Sequence, residues 1–178
     1  MQAMSKVRMA TSRQLEVLPA TREQEPVMAN LLELYAHDFS ELRRLNLRED
    51  GRFGYEALPL YWTEAGRYPF LIRVDGSLAG LVLVKRGPGI SKAEAVWDMA
   101  EFFVVRGCRR WGVGTQAALE VWKRFPGVWE VRVMQKNDVA RLFWAETISL
   151  FTGEESHPVA FKRGGDAWVL FSFESRGR

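Results

Sequence analysis

The sequence predicts one mixed α/β domain. Its 178 residues are enough for a single well-buried domain and too few for two. Hydrophobic residues make up 47% of the chain and charged residues 26%, as is typical of a globular protein. Runs rich in β-branched and aromatic residues alternate with segments whose apolar residues recur at helical spacing. Residues 1–11 contain basic side chains and no acidic one, so we expect a flexible arm there and the domain over residues 12–178.

The first half of the chain is expected to contain a strand, a helix and a hairpin. Residues 14–18 predict the first strand. Pro26 fits the first turn of a helix, and apolar residues then recur every three or four positions. Residues 46–66 are loop-like, with scattered Gly, Pro and aromatic residues. Asp75-Gly76 lies between two β-rich runs and predicts a hairpin turn.

The second half begins with a buried strand. Residues 95–105 have few polar side chains, as expected of a strand covered on both faces. Pro126 ends the helix that follows, and Asn137 stands at the capping position of another helix. After the strand we therefore predict a helix, a strand, a helix and a final hairpin, at residues 115–125, 129–134, 138–150 and 159–173. The complete predicted order is β-α-β-β-β-α-β-α-β-β.

The most informative segment is residues 109–114, Arg-Arg-Trp-Gly-Val-Gly, between the buried strand and the next helix. Two glycines one residue apart let backbone N–H groups turn toward one point. The start of a helix adds unpaired N–H donors and a positive dipole end. The two arginines add cationic donors. This segment predicts a phosphate-binding turn.

A dinucleotide is the first candidate for the phosphate ligand. Residues 112–117 match the pattern G-x-G-x-x-G/A. In that fingerprint, however, the first glycine ends the strand and lies in the first βα unit. Here six residues, 106–111, separate strand from glycine, and at least three strands precede the turn. A Walker loop is excluded because the required Gly-Lys-Ser/Thr is missing.

Coenzyme A is the second candidate, and two motifs favour it. Residues 104–114 resemble the V-x-P-x-x-R-x-x-G-x-G signature of the GCN5-related N-acetyltransferase (GNAT) family. Residues 137–144, Asn-Asp-Val-Ala-Arg-Leu-Phe-Trp, resemble the second signature of the same family, N-x-x-A-x-x-F-Y. One helix and one strand separate the two motifs, as in that family. The resemblance extends over residues 12–173, with its specific motifs between residues 98 and 144.

The resemblance implies both a fold and an activity. The fold would be a single-domain, twisted, mostly antiparallel sheet flanked by helices, with a splayed central strand pair. The activity would be transfer of an acetyl group from acetyl-CoA to a primary amine by direct attack, without a metal. Carried over to this sequence, the CoA-binding positions are Phe103, Val104, Val105, Arg109, Arg110, Trp111, Gly112, Val113, Gly114, Thr115, Asn137, Ala140 and Phe143.

The second motif departs from the family pattern at its last position, where Trp144 replaces the usual tyrosine. That tyrosine can protonate the departing thiolate, whereas an indole N–H is a very poor acid. The general acid is therefore left unassigned. The substitution also leaves an alternative function open, a CoA-binding or acyl-CoA-binding sensor module without catalytic activity.

Glu101 is the candidate general base. An amine arrives as ammonium and must lose a proton before it can act as a nucleophile. A carboxylate in an apolar strand should have a raised pKa, which suits a base. Asp98, three residues earlier, would lie on the opposite face of a regular strand. A β-bulge would change that relationship.

The acceptor site is expected beside the first long helix, as the resemblance implies. Asp38 in that helix could attract a cationic acceptor. One or two of the nearby aromatic residues should line the pocket, out of Tyr35, Tyr55, Tyr61, Trp62 and Tyr68. The candidate acceptor residues are Tyr35, Asp38, Tyr61 and Trp62. The sequence leaves the acceptor itself open among a small amine, an amino acid, an aminoglycoside, a peptide N-terminus and a lysine.

Composition sets the remaining expectations. The formal net charge of +3 suits an anionic small ligand, and we expect no nucleic-acid or membrane partner. A single cysteine, Cys108, excludes an internal disulfide and a cysteine-rich metal site, and fits a reducing compartment. No apolar run reaches the roughly 18 residues of a membrane span. We therefore expect a cytoplasmic protein, with a homodimer compatible with such a fold.

Overall fold

The computed structural model describes residues 13–177, and the arm expected at residues 1–11 lies outside the described residues. Within this range the order of helices and strands is the predicted one. The strands and helices are β1 (Leu15–Pro19), α1 (Glu25–Phe39), β2 (Arg67–Val74), β3 (Ser77–Gly87), β4 (Val96–Val104), α2 (Val113–Arg124), β5 (Gly127–Met134), α3 (Asp138–Thr152), β6 (Val159–Arg163) and β7 (Asp166–Ser175).

Three short 3₁₀ turns lie between these elements of the described chain, at Arg22–Gln24, Leu58–Trp62 and Arg106–Cys108. The segment expected to be a plain loop, residues 46–66, therefore contains a turn of helix. Helix α2 also begins two residues before the predicted start, because Gly112 is already its N-terminal cap.

The strands of the described chain form one seven-stranded sheet in the order β1-β2-β3-β4-β5-β7-β6. Neighbouring strands are antiparallel except β4 and β5, which are parallel. The expectation of a mostly antiparallel sheet flanked by helices is confirmed. The parallel pair lies at the centre of the sheet, where α2 forms the crossover connection between its strands.

The two central strands separate soon after they meet. Strand β4 pairs with β5 only at Trp97–Trp129 and Asp98–Glu130. Beyond Asp98, the rest of β4 has no β5 partner within residues 13–177, although both strands continue. The predicted splayed central pair is thus confirmed, and it leaves a wedge-shaped opening in the sheet.

A β-bulge in β4 places Asp98 and Glu101 on the same face. Leu83 of β3 is opposite Glu101, but the next residue of β3 is opposite Met99, so Ala100 is the additional residue. Of the two arrangements that the sequence allowed, the one with a β-bulge is therefore present, and the one for a regular strand is not. The bulge shifts the alternation of side chains by one residue.

Two hydrophobic clusters hold the layers together. Helices α2 and α3 cover one face of the sheet, where Trp122 and Trp129 are fully buried. Helix α1 covers the other face, on which Leu81, Leu83 and Phe103 are buried. Full burial of one such side chain contributes about 1.5–3 kcal/mol. Within residues 13–177, no helix combines the length and the apolar character needed to cross a membrane.

Candidate active site

The opening between β4 and β5 forms a cleft of about 630 Å³. A cavity of this size is in the range of small-molecule sites. Its walls come from α1, the loop after α1, the two splayed strands, α3 and the β6–β7 hairpin. The lining residues are Leu32, Tyr35, Ala36, Phe39, Arg43, Leu45, Asn46, Phe53, Gly54, Tyr55, Met99, Ala100, Glu101, Phe102, Val131, Arg132, Val133, Met134, Asn137, Ala140, Trp144, Arg163, Gly164 and Trp168.

The turn before α2 presents a row of free backbone donors. Arg110 and Gly112 have positive φ angles of 64° and 75°, which curve the backbone around the helix start. Among the described residues, no acceptor receives a hydrogen bond from the N–H groups of residues 110–115. A Cβ added at Gly112 would meet only the end of the Gln116 side chain, at 3.8 Å, so its surroundings are open. Such a concave set of donors at a helix N-terminus fits a phosphate group.

Arg109 is already engaged within the protein. Its Nε donates to the carbonyl oxygen of Val104 at 2.7 Å, and its Nη2 donates to Asp38 at 2.6 Å. Arg106 also pairs with Asp38, at 2.8 Å. Burial acts to raise the pKa of Asp38, but the hydrogen bonds and charges of the two arginines outweigh it and lower that pKa. These contacts tie the end of α1 to the phosphate-binding turn.

Trp111 and Val113 are the other side chains expected at the turn. Trp111 is exposed, and the guanidinium of Arg13 lies over its ring. Val113 is buried in the core beneath the start of α2. The hydroxyl of Thr115 lies 3.4 Å from that of Thr147 in α3. In this turn, the donors left for a ligand are therefore the backbone N–H groups without an acceptor in the described chain and the exposed side chain of Arg110.

Gly114 is closely packed against aromatic side chains of the protein. A Cβ at this position would lie 3.2 Å from the ring of Phe143 and 3.7 Å from that of Phe102. The two phenylalanine rings stack with their centroids 5.9 Å apart. The sequence predicts that both glycines allow approach of a ligand. The open space at Gly112 is compatible with this prediction, whereas Gly114 allows close approach of Phe143.

The end of β4 lies beside the cleft and forms little of its lining. Phe103 and Val104 are buried in opposite layers of the core, and the N–H of Val105 donates to the carbonyl of Ala79. The β4 residues that line the cleft are Met99 to Phe102. Any contact of the predicted positions 103–105 with a ligand would therefore be through the backbone edge of the strand.

The second sequence motif contributes the opposite wall. The Asn137 side chain accepts a hydrogen bond of 3.1 Å from the N–H of Ala140, which caps α3 as predicted. Asn137 and Ala140 line the cleft, and Phe143 lies beside it against Phe102. Trp144 is 6% exposed and also lines the cleft, so the residue that replaces tyrosine does face this space.

Glu101 is the carboxylate of the cleft. The hydroxyl of Tyr55 donates to its Oε1 at 3.0 Å. Burial raises the pKa of Glu101 above its ordinary value, although the hydroxyls of Tyr35 and Tyr55 and the charge of Arg132 act in the opposite direction. Burial and the nearby carboxylate also raise the pKa of Tyr35 and of Tyr55. The carboxyl can therefore accept a proton more readily than an exposed glutamate.

A buried ion pair lies next to Glu101. Nη1 of Arg132 donates to both oxygens of Asp98, at 2.6 and 2.5 Å, and Lys85 lies 3.3 Å from the same carboxylate. Nη2 of Arg132 reaches the carbonyl of Ala100, the residue of the bulge, at 3.4 Å. Arg132 thus contacts the bulge that places Asp98 and Glu101 on one face. Sequence analysis did not identify Arg132, since a single arginine in a strand carries no distinctive signal.

The loop that carries Tyr55 is held by α1. Glu33 accepts hydrogen bonds from the N–H groups of Phe53 and Gly54, at 2.8 and 2.9 Å. These bonds fix the backbone directly before Tyr55. Glu33 was also missed from the sequence, where it looks like an ordinary charge on a helix surface.

The candidate acceptor residues are not all brought together. Tyr35 lines the cleft near Glu101. Asp38 is engaged by Arg106 and Arg109 outside the cleft lining. Tyr61 is 3% exposed in the core beneath α1, and the indole N–H of Trp62 donates to the carbonyl of Ala20. Asp38, Tyr61 and Trp62 are therefore not part of the cleft lining. Tyr61 nevertheless lies close enough to Glu101 that, after burial, the charge of that carboxylate raises the pKa of its phenol.

The arrangement can perform three chemical tasks. The turn before α2 can hold phosphate, the unpaired edge of β4 can accompany an extended ligand, and the carboxylate at the cleft can accept a proton. Among residues 13–177, no three His, Cys, Asp or Glu side chains come together as metal ligands do. The free donors at the turn and the splayed strands fit the pyrophosphate and the arm of coenzyme A.

Solved acetyltransferase structures have the same fold. One from Thermus thermophilus aligns over 90% of this chain and 97% of its own, with a TM-score of 0.63 and 15% identity. NAA60 from Arabidopsis thaliana in complex with acetyl-CoA aligns over 90% and 98%, with a TM-score of 0.60 and 16% identity. An acetyltransferase of the GNAT family from Streptococcus pneumoniae aligns over 90% and 99%, with a TM-score of 0.55 and 15% identity.

No family model matches the sequence, and no curated protein matches it. The relationship to these acetyltransferases is therefore one of fold. At such identities, the functional residues have to be argued from the geometry of this chain.

Proposed function

Because the chain has the fold of the GCN5-related N-acetyltransferases, we propose that it transfers an acetyl group from acetyl-CoA to a primary amine. The observation that carries the proposal is the spatial order of three features. Free N–H donors precede α2, the sheet opens between β4 and β5, and Glu101 faces that opening. A donor molecule held by its phosphates and an amine acceptor would meet in this cleft.

The N–H groups of residues 110–115 and the Arg110 guanidinium would hold the pyrophosphate of acetyl-CoA. Asn137 and Ala140 line the cleft, and Phe143 packs beside it, so these three would flank the pantetheine arm and the thioester. Bound acetyl-CoA supplies the acetyl group in an activated form, as a thioester. Arg109 would act mainly by fixing the turn, because its guanidinium is held by Val104 and Asp38.

Glu101 would serve as the general base. It accepts the proton that an ammonium group must lose, which leaves the nitrogen with a free electron pair. Burial favours this role because it raises the pKa of Glu101. The phenol of Tyr55 fixes one oxygen of the carboxylate. Trp144 would shape the cleft and exclude water, and its indole N–H would not supply a proton.

Isothermal titration with acetyl-CoA tests the donor half of the proposal. We expect a saturable heat signal, and much weaker binding of acetyl-pantetheine, which lacks the phosphates that the turn would hold. An absence of saturable heat at concentrations near a millimolar would overturn the proposal.

Release of CoA in the presence of a panel of primary amines tests the second half of the proposal, acetyl transfer to an amine. Tight binding with no amine-dependent release would indicate the non-catalytic module instead.

A further inference from the structure

The charges of the cleft are distributed unevenly. Among the described residues that line the cleft, Glu101 is the one with a carboxylate, and it lies in the interior of the cleft. Arg43 and Arg163 also line the cleft, and both are exposed to solvent. Arg132 lines the interior as well, but its guanidinium is held by Asp98 and by the carbonyl of Ala100. The guanidinium groups with free donors therefore lie at the mouth, and Glu101 lies inside, where an amine would be deprotonated.

Both arginines retain donors for a ligand. The side chain of Arg163 makes no hydrogen bond or ion pair with any residue of the described range. Arg43 contacts Asp166 through Nε at 3.3 Å, and its two terminal nitrogens have no partner within residues 13–177. The negative charge of Asp166 partly offsets the positive charge of Arg43, so Arg163 is the stronger anion-binding candidate. A guanidinium with free N–H groups suits a carboxylate or a phosphate.

The acids that could attract a second cation are engaged elsewhere. Asp38 pairs with two arginines beside the phosphate-binding turn. Glu33 accepts two backbone N–H groups of the loop. Asp98 is held by Arg132 and Lys85. An acceptor with several positive charges would therefore meet arginines at the mouth, where the described lining offers no free carboxylate.

We infer that the acceptor is a small amine that carries an anionic group, a carboxylate or a phosphate, at the end opposite its amino group. This inference rests on the proposed function. The amino group would lie at Glu101 and the anionic group at Arg163 and Arg43. Aromatic side chains of the same cleft lining, from Tyr35, Phe53 and Tyr55, suit an apolar spacer. Diamines, polyamines and aminoglycosides would be disfavoured by the arginines.

The test compares acceptors of equal chain length. Initial rates of CoA release would be measured for a series of ω-amino acids, the matching alkylamines, the matching diamines and the matching aminoalkyl phosphates. We expect kcat/KM for the best ω-amino acid or aminoalkyl phosphate to exceed that of its diamine by about tenfold, since contacts of exposed charges are individually weak. The better of the two anionic series identifies the anionic group. A diamine or neutral amine that is as good as both would overturn the inference.

Arg163→Gln provides an independent arm. It should raise KM for the anionic acceptors by about threefold to fivefold and leave KM for the neutral alkylamines unchanged. Lys162→Gln, on the same strand and outside the cleft lining, is the matched control and should change neither value. An equal increase of KM for anionic and neutral amines would contradict the anion contact. If acetyl-CoA bound and amines reacted without this charge preference, only the inference about the acceptor would fail. If acetyl-CoA did not bind, both the proposed function and this inference would fail.

Discussion

The hydroxyl of Tyr55 donates a hydrogen bond of 3.0 Å to the carboxylate of Glu101, which lies 46 residues further along the chain. Tyr55 belongs to the loop that Glu33 of α1 fastens through two backbone N–H groups. The candidate base on β4 is therefore positioned partly by helix α1, which packs on the sheet. A substitution at Glu33 would therefore affect the position of Glu101 through the loop that carries Tyr55.

Substitution of Glu101 tests its role as the base. Glu101→Gln should lower kcat by roughly a hundredfold to a thousandfold at neutral pH, because the amide cannot accept the proton. The affinity for acetyl-CoA, measured by titration calorimetry, should change little. Glu174→Gln, an exposed position on β7, is the control and should retain full activity. An unchanged kcat in Glu101→Gln would exclude Glu101 as the base.

The pH dependence should report the environment of Glu101. Activity falls at low pH as the carboxyl becomes protonated, and burial raises its pKa, so the midpoint of the acid limb of kcat/KM should lie above the usual 4.5 of glutamate. Tyr55→Phe removes a hydrogen bond that stabilises the charged form, so the midpoint should move to still higher pH. Tyr68→Phe is the control: the ring of Tyr68 packs on Trp97 and Phe125, and its substitution should leave the midpoint unchanged. A midpoint that stays in place or moves to lower pH in Tyr55→Phe would contradict this hydrogen bond.

Gly112 offers a test of the phosphate-binding turn with a closely matched control. Gly112→Asp places a side chain and a negative charge among the free N–H groups, and should weaken acetyl-CoA binding about a hundredfold or more. Gly153→Asp imposes a similar backbone strain, since the φ angles are 75° and 77°, but lies at the end of α3. Comparable affinity of the two variants would show that the turn is not where the phosphates bind.

The buried pair of Asp98 and Arg132 should be important for stability. Asp98→Asn leaves the guanidinium of Arg132 without its carboxylate, and we expect a loss of about 3 kcal/mol in the free energy of unfolding. Urea denaturation with an unchanged m-value would measure it. Glu56→Gln breaks an exposed pair with Arg48 and should cost no more than about 0.5 kcal/mol. Equal losses in the two variants would mean that burial of the Asp98 pair adds no stability.

The order of elements could be predicted because each boundary has a local signal. Asp75-Gly76 forms the β2–β3 turn, with positive φ at both residues, and Asn137 caps α3. Proline at the start of α1 and after α2 marked two more boundaries. The glycine turn before α2 was equally visible, because glycines and a helix start are encoded within a few residues; its role in binding phosphate stays a prediction.

The surroundings of Glu101 could not be predicted in the same way. The bulge falls on Ala100, a residue with no preference for such a conformation, and it depends on the pairing with β3. Arg109 appears in the sequence as a phosphate ligand, yet its partners are the carbonyl of Val104 and the side chain of Asp38, 71 residues away. Both features are decided by long-range contacts, on which a local pattern carries no information.

The contact of Phe143 with Gly114 has a consequence for how this chain can be recombined with its structural relatives. Here the two motifs pack against each other, although they are separated by a helix and a strand. A chimera with its crossover between residues 114 and 143 would take the residue at position 114 from one parent and the residue at position 143 from the other. We expect a chimera that combines a larger residue at position 114 with Phe143 to be less stable than either parent, so that recombination should exchange the two motifs together.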